Sequence, residues 1–476
     1  MNIIRIKVDN VYGKILDPIP EKVFKELRKE CSYVSKQLAY SSRQYGYHPH
    51  PTYRFSKTMT FRVGLLSKIQ TILRSHSILS HILQEDDTDD AVGSPTMISS
   101  DFKLRDYQLG SVNDILKRKK TAHEIATGGG KTIIMGDAIA KVGLKATVLT
   151  NSTVLMHQTA KLLDQMLNME IGMVGDSIFN PKDVTVAMVQ SLEGVYDKDN
   201  ISPNRPDKLE LIENTRFLVV DECHRIAAKT IFDLSGGFKN ASYAAFFTAT
   251  MRRLDGKDLD LEAASGPINY SVDMHDLVAK GWLVRPRVYY LKVPPRYIPA
   301  EKSHLVNCKV YNTLREFHID SYDERNALII ETARRLADAG HSTLISVRNI
   351  AHGNGLARNR DLLDAVEIYA ETYNRVALFD QFRDGKIPIV ISTLCKEGID
   401  IPRCSAVVIA HDTQDAQQLV GRIVRLHPDK EKAIVVHLVD DHPIFKKHIK
   451  YNEKVFYKPQ KIEMEHITIN DLQRTL

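Results

Sequence analysis

Eight short runs, apolar on both faces, recur between helical patterns: Thr147–Thr150, Val184–Ala187, Phe217–Val220 and Ala244–Phe247, then Thr343–Ser346, Ile389–Ile391, Ala406–Ile409 and Ala433–Val436. A strand with no polar face must be covered on both sides. Such strands alternating with helices therefore predict parallel sheets sandwiched by helices. The grouping predicts two α/β lobes of similar size, 101–282 and 283–458, with a boundary near Gly281-Trp282-Leu283 and Pro286.

The texture upstream is different. Ile4, Ile6 and Val8 alternate, Pro20-Glu21 opens a helical pattern carrying Val23, Phe24 and Leu27, and Met59, Phe61 and Val63 alternate again. A small α+β domain over 1–83 follows. Residues 84–100 are acidic, polar and turn-rich and read as a linker, and 459–476 as a C-terminal tail. Charge is uneven: residues 1–83 hold 14 Lys/Arg against 5 Asp/Glu, while the whole chain carries +6. A basic module facing phosphate and an ordinary solvated face both fit that asymmetry. The five cysteines (Cys31, Cys223, Cys308, Cys395, Cys404) form no C-x-x-C pair, which argues against a disulfide framework or a zinc ribbon. No apolar run approaches the roughly 20 residues of a membrane span, and Met1-Asn-Ile-Ile-Arg5 lacks signal-peptide blocks. A cytoplasmic protein is expected, in the host cytoplasm if phage-encoded, with a monomer favoured and no membrane partner.

Ala126-Thr-Gly-Gly-Gly-Lys-Thr132 sits between a strand ending at Ile125 and the helical pattern beginning Ile133-Ile134. This is the setting of a phosphate-binding loop. Thr127, Gly128, Gly129 and Gly130 let backbone N–H groups curl around phosphates, Lys131 supplies a point charge, and Thr132 offers a hydroxyl to Mg²⁺. Ile125 stands where the strict pattern has its first glycine. Downstream, Phe217–Val220 discharges into Asp221-Glu-Cys-His224. A carboxylate at a strand's C-terminal end can hold the metal and its neighbour can orient or deprotonate water, so Asp221 takes the first role and Glu222 the second.

Together these two segments resemble a DExH-type superfamily-two helicase, and further signatures appear in that family's order. Leu104-Arg105-Asp-Tyr-Gln108 is similar to its nucleotide-contacting element, with Gln108 at the adenine-reading position. Thr248-Ala-Thr250, with His224, resembles the motif coupling hydrolysis to lobe movement. Ser392-Thr393 and Glu397-Gly398-Ile-Asp400 resemble the second-lobe motif touching nucleic acid and ribose. Gln418-Leu-Val-Gly-Arg422-Ile-Val-Arg425 resembles the arginine-finger motif. The resemblance implies two tandem RecA-like lobes, and ATP and Mg²⁺ as cofactors. It also implies guanidinium groups of Arg422 and Arg425 meeting charge on the transferring phosphoryl group. Thr248-Ala-Thr-Met-Arg-Arg-Leu-Asp-Gly-Lys257, Val184–Leu192 and Leu277–Leu283 are similar to segments of the XPB group and of UvsW-type phage branch-migration helicases, which favours DNA over RNA. Tyr369-Ala-Glu-Thr372 departs from the histidine-glycine turn many relatives carry.

The resemblance implies sequence-blind contacts to nucleic-acid phosphates from Thr150, Asn151, Gln190, Ser191, Arg348, Thr393 and Lys396. In the N-terminal domain Tyr40, Arg43, Tyr45, Tyr47, His48, His50, Tyr53, Arg54, Phe55 and Lys57 interleave rings and charges. They read either as a base-stacking face or as half-buried core. The expected activity is ATP-dependent unwinding or branch migration of forked and joint DNA in recombination, repair or replication. The partner is forked, branched or single-stranded DNA, with an RNA–DNA hybrid or RNA as a further candidate. A restriction-nuclease motor is the other alternative, although Pro206-Asp207 and Asp255-Gly-Lys257, fragments of a nuclease pattern, lie far apart.

Overall fold

The computed structural model describes residues 2–35, 49–85, 93–196, 204–226, 228–249, 258–298, 300, 310–362, 364–394, 401–413 and 416–475. Tyr40, Arg43, Tyr45, Tyr47, His48, Thr250, Lys396, Gly398 and Asp400 lie outside them, as does the 251–257 segment. The chain divides into two compact units, Met1–Ala126 with Gly130–Val272, and Thr127–Gly129 with Asp273–Leu476. Among the described residues no helix is long and apolar enough to cross a membrane.

The first unit begins with a four-stranded sheet made of β1 (Asn2–Val8), β2 (Tyr12–Ile15), β5 (Thr60–Arg62) and β6 (Ile78–Gln84), in the order β5-β2-β1-β6. A two-stranded ladder of β3 (Ser32–Tyr33) and β4 (Thr52–Tyr53) lies beside it in sequence. Ile4, Ile6 and Val8 bury one face of β1 against Val23 and Leu27 of the helix Glu21–Glu30 and Ile69, Ile72 and Leu73 of the helix Leu66–Ser75. This core also takes in Ala263, with Phe232 and Leu259 packed on it, so the small domain shares apolar surface with two helices of the lobe that follows. Residues 94–99 are pinned by backbone hydrogen bonds, Ser94 N–H to the Gly143 carbonyl, Thr96 to Ala140 and Ser99 to Met166.

That lobe is an eight-stranded sheet. Its strands are β7 (Lys120–Ile125), β8 (Ala146–Thr150), β9 (Gly172–Gly175), β10 (Ile178–Asn180), β11 (Val184–Met188), β12 (Phe217–Val220), β13 (Tyr243–Thr248) and β14 (Ile268–Val272), ordered β10-β9-β11-β8-β12-β13-β7-β14. All neighbours are parallel except β10 against β9. Every residue of β8 and β12 is buried, as runs with no polar face require.

The second unit carries seven strands, β15 (Pro286–Lys292), β16 (Thr343–Ser346), β17 (Ala365–Ile368), β18 (Ile389–Ser392), β19 (Ala406–Ile409), β20 (Ala433–Val439) and β21 (Glu463–Ile467), all parallel, in the order β17-β18-β16-β19-β20-β15-β21. Arg325, fully buried, holds Asp440 through two hydrogen bonds of 2.6 and 3.1 Å. All eight apolar runs are strands, and the architecture is the tandem α/β arrangement expected. Residues 459–476 differ from the expected tail: β21 extends the sheet at its edge and the helix Ile469–Thr475 follows, with Leu472 buried in the core.

Candidate ATP site and motor elements

Because the strands of the first lobe's sheet that carry motifs run parallel, their C-terminal ends share one edge, where ligands bind in open α/β sheets. β7 ends in the 126–130 loop, β8 in Thr150-Asn151, β11 in Val189–Leu192, β12 in Asp221-Glu222 and β13 at Thr248. Five of the segments singled out from the sequence therefore meet at that edge.

Gly128 and Gly130 take φ of +87° and +73°, a backbone region that penalises any side chain, and the helix Lys131–Val142 starts directly behind them. A Cβ at Gly130 would stand 2.5 Å from Nε2 of Gln108, so the loop passes against that glutamine. Gln108 is itself fixed: its Oε1 accepts from the Arg105 backbone N–H at 2.8 Å, and its own N–H donates to the Arg105 carbonyl at 2.9 Å, at the start of the helix Asp106–Arg118. Arg105 in turn donates from Nη1 to the Tyr107 hydroxyl at 3.1 Å.

Across the loop, Lys131 Nζ donates to Glu222 Oε1 at 2.6 Å, both side chains largely withdrawn from solvent. Asp221 is buried and its Oδ1 accepts from the Glu222 N–H at 2.9 Å. Glu222 has φ +46°, a left-handed conformation that costs a non-glycine residue. Thr132 is half-buried at the first turn behind the glycines. A Thr hydroxyl and an Asp carboxylate are hard oxygen donors of the kind Mg²⁺ takes beside phosphate oxygens. From the acid turn a further link runs outward: His224 Nδ1 lies 3.3 Å from Glu222 Oε2 and 2.7 Å from Thr248 Oγ1.

The other first-lobe positions divide by exposure. Thr150 is fully buried at the end of β8, Asn151 and Ser191 are half-buried, and Gln190 is exposed and donates to the Asn151 carbonyl at 3.2 Å.

In the second unit the helix Gln417–Ile423 buries Gln418 and Arg422, four residues apart on one face. That helix ends at Ile423, and Arg425 lies beyond it, half-buried. Thr393 is half-buried just past β18, while Ser392 Oγ donates to the Ile368 carbonyl at 2.5 Å. Arg348 is exposed and donates to the Tyr311 hydroxyl at 3.2 Å. That hydroxyl also bonds Asp412 Oδ2, which lies 2.9 Å from His448 Nδ1. Burial opposes the Asp412 charge, yet the hydrogen bonds from His448 and Tyr311 hold its carboxyl below the ordinary value. Tyr311, Asp412 and His448 gave no sequence signal, because the cluster joins positions 101 and 36 residues apart.

Residues 101–253 match the family model described as "Type III restriction enzyme, res subunit", and residues 314–427 match "Helicase conserved C-terminal domain". Over 365 residues the chain is 24% identical to the DNA 3'-5' helicase XPB of Mycobacterium tuberculosis, a match covering 71% of this chain and 61% of the relative. It is 22% identical over 401 residues to the DNA 3'-5' translocase XPB2 of Sulfurisphaera tokodaii, covering 77% and 88%. It is 21% identical over 357 residues to the ATP-dependent DNA helicase uvsW of Enterobacteria phage T4, covering 70% and 68%. The chain spans less than two thirds of the mycobacterial relative and of a relative from Sulfolobus islandicus filamentous virus, at 61% and 65%. In fold it is similar to Saccharomyces cerevisiae Dbp5 bound to RNA and ADP BeF3, with TM-score 0.52 and 15% identity, covering 78% of this chain and 96% of that one.

Proposed function

We propose that this chain, a member of the superfamily-two helicases by its two helicase domains, is an ATP-dependent DNA motor that unwinds or branch-migrates forked and joint DNA in recombination, repair or replication. The observation that carries the reading is the 2.6 Å contact between Lys131 and Glu222 across a glycine loop with two left-handed residues. A lysine suited to phosphate and an acid suited to activating water are then within one hydrogen bond of each other.

In this reading Lys131 exchanges Glu222 for the β/γ-phosphates when ATP binds, which releases the carboxylate to orient the attacking water. Thr127, Gly128, Gly129 and Gly130 present backbone N–H groups to the phosphates, and Arg105 and Gln108 hold the base. Thr132 and Asp221 would hold Mg²⁺, whose charge offsets that of the phosphates. Gln418, Arg422 and Arg425 are proposed to meet the charge that builds on the transferring phosphoryl group. Gly398 and Asp400 are proposed to contact ribose.

His224, Thr248 and Thr250 are proposed to carry the hydrolytic state toward the nucleic acid. Asn151, Gln190, Ser191, Arg348, Thr393 and Lys396 are proposed to hold backbone phosphates, which carry no base information. Thr150, fully buried at the end of β8, has no exposed hydroxyl to offer a strand and is left out of that proposed surface. DNA is favoured over RNA because four relatives named as DNA helicases or a DNA translocase match over 70% or more of this chain, against one named as an RNA helicase, which matches over 72%.

The test measures ATPase stimulation and strand separation at one fixed salt concentration on single-stranded DNA, forks, four-way junctions, RNA duplexes and RNA–DNA hybrids. Greatest stimulation by forks or junctions, with ATP-dependent unwinding, supports the reading. Preference for RNA duplexes overturns the DNA assignment, and ATP-dependent cutting of the DNA would favour a restriction motor.

A further inference from the structure

Within the first unit, a cavity of about 420 Å³ lies where the N-terminal domain meets the helicase lobe. It is lined by Arg62, Gln70, Arg118, Lys120, Phe246 and Asn269 among others. Its volume is that of a small-molecule site.

Two of these cations have no carboxylate within ion-pair distance among the described residues. Arg62 is only 4% exposed, and its guanidinium donates to neutral oxygens, the Phe232 carbonyl at 2.7 Å and Ser235 Oγ at 2.9 Å. Its Nε is buried with no hydrogen-bond partner. Lys120 Nζ likewise donates only to neutral oxygens, the Asn10 carbonyl and Oδ1 at 2.7 and 2.8 Å. Burial, helped by the nearby charges of Lys119 and Arg62 and opposed by Asp9, pushes the Lys120 ammonium down to about 8. Burial also lowers Arg62, against Tyr12, whose ring lies 5.5 Å from the guanidinium, and against Asp233 and Asp9. Two like charges held in one cavity and stripped of water are a cost that an anion would relieve. The remaining cation, Arg118, is already paired with Asp114 at 2.7 Å.

We propose that this cavity is a binding site for a small organic phosphate, its oxyanion between Arg62 and Lys120 and its apolar portion against Leu218 and Phe246. Lys120 opens β7, whose other end runs into the glycine loop at 126–130. Ser235 and Phe238 follow the acid turn, Ser265 ends the helix Asp258–Ser265, and Gly266 and Pro267 follow it. An occupant therefore fastens the N-terminal domain to elements that lead into the hydrolytic motifs, at the edge of the sheet opposite the ATP site.

Phenyl phosphate, which joins a dianion to a flat apolar ring, is the probe, titrated calorimetrically into the full-length chain. One-to-one binding is expected, weakened about tenfold for benzyl alcohol, which keeps the ring and loses the charge. Lys120→Gln is expected to weaken it about tenfold, and Ser67→Trp, at the exposed rim, to abolish it. Saturating ATP is expected to leave it unchanged. Absence of binding at millimolar concentration, full binding to Ser67→Trp, or displacement by ATP would each overturn the proposal. The last outcome would move the phosphate to the glycine loop, so the site fails or stands separately from the motor reading. Should Lys120→Gln fail to fold, Ser67→Trp carries the test.

Discussion

Lys131 and Glu222, 91 residues apart in sequence, share a 2.6 Å hydrogen bond and are both largely withdrawn from solvent. Removing either partner has a different consequence. Lys131→Ala takes away the charge proposed to meet the phosphates, so both nucleotide binding and turnover are expected to fall, turnover by about 10²-fold or more. Glu222→Gln keeps the shape and leaves Lys131 available, so ATP still binds while hydrolysis slows by about 10²-fold or more. Fluorescent-nucleotide binding and ATPase assays on both variants separate the roles, and undiminished turnover in either contradicts them.

The contact of 2.7 Å between His224 and Thr248 joins the acid turn to the end of β13. Thr248→Val preserves volume and removes the hydroxyl. Lost coupling leaves DNA-stimulated ATPase within about threefold and cuts strand separation about tenfold, in the range typical of coupling energies between sites. Equal loss of both activities would reduce the pair to a structural bond.

The strands and the residues proposed to hydrolyse ATP were legible for a local reason. Phe217–Val220 is buried on both faces and hands directly to Asp221, so period and motif occupy consecutive positions. What stayed hidden depends on distance or on edges. Glu463–Ile467 has only Ile467 buried, since an edge strand has few residues to hide, and so it reads as tail. The excess positive charge of residues 1–83 is partly turned inward: Arg54 meets Asp260, more than 200 residues away, and Arg62 is buried against Phe232. No local pattern distinguishes those arginines from the exposed Lys57. Phe55 is core, whereas Tyr53 is exposed beneath Arg28, whose guanidinium lies 4.0 Å from its ring centroid.

Arg54 grips Asp260 with two hydrogen bonds of 2.5 and 2.7 Å, and the Tyr33 hydroxyl adds a third at 2.7 Å. Asp260 is fully buried, so Arg54→Met strands a carboxylate and is expected to destabilise the first unit by about 3 kcal/mol. Adding Asp260→Leu should restore part of that loss, because an apolar pair has no charge to desolvate. Urea unfolding of the two single variants and the double variant measures the coupling. Strict additivity would show that the pair does not hold the N-terminal domain in place.

His123 sits in the middle of β7, fully buried between the rings of Phe247 and Tyr270 at 5.3 and 5.5 Å, with Nδ1 2.6 Å from Ser111 Oγ. Burial pulls its pKa down from 6.5 to about 4, although Asp114 acts in the opposite direction. The folded protein therefore keeps this ring neutral where the unfolded chain would protonate it, so the unfolded state binds more protons below about pH 6.5. Stability is expected to fall as pH drops from about 6.5 toward 4, with His123 contributing about 2 kcal/mol of loss between pH 7 and pH 5. His123→Phe removes the titrating group while keeping a ring against Phe247 and Tyr270, and should flatten that part of the profile even if its stability at pH 7 is lower. Urea midpoints at pH 7 and pH 5 decide it: equal pH slopes in the parent and the variant would mean that His123 is not the group being protonated.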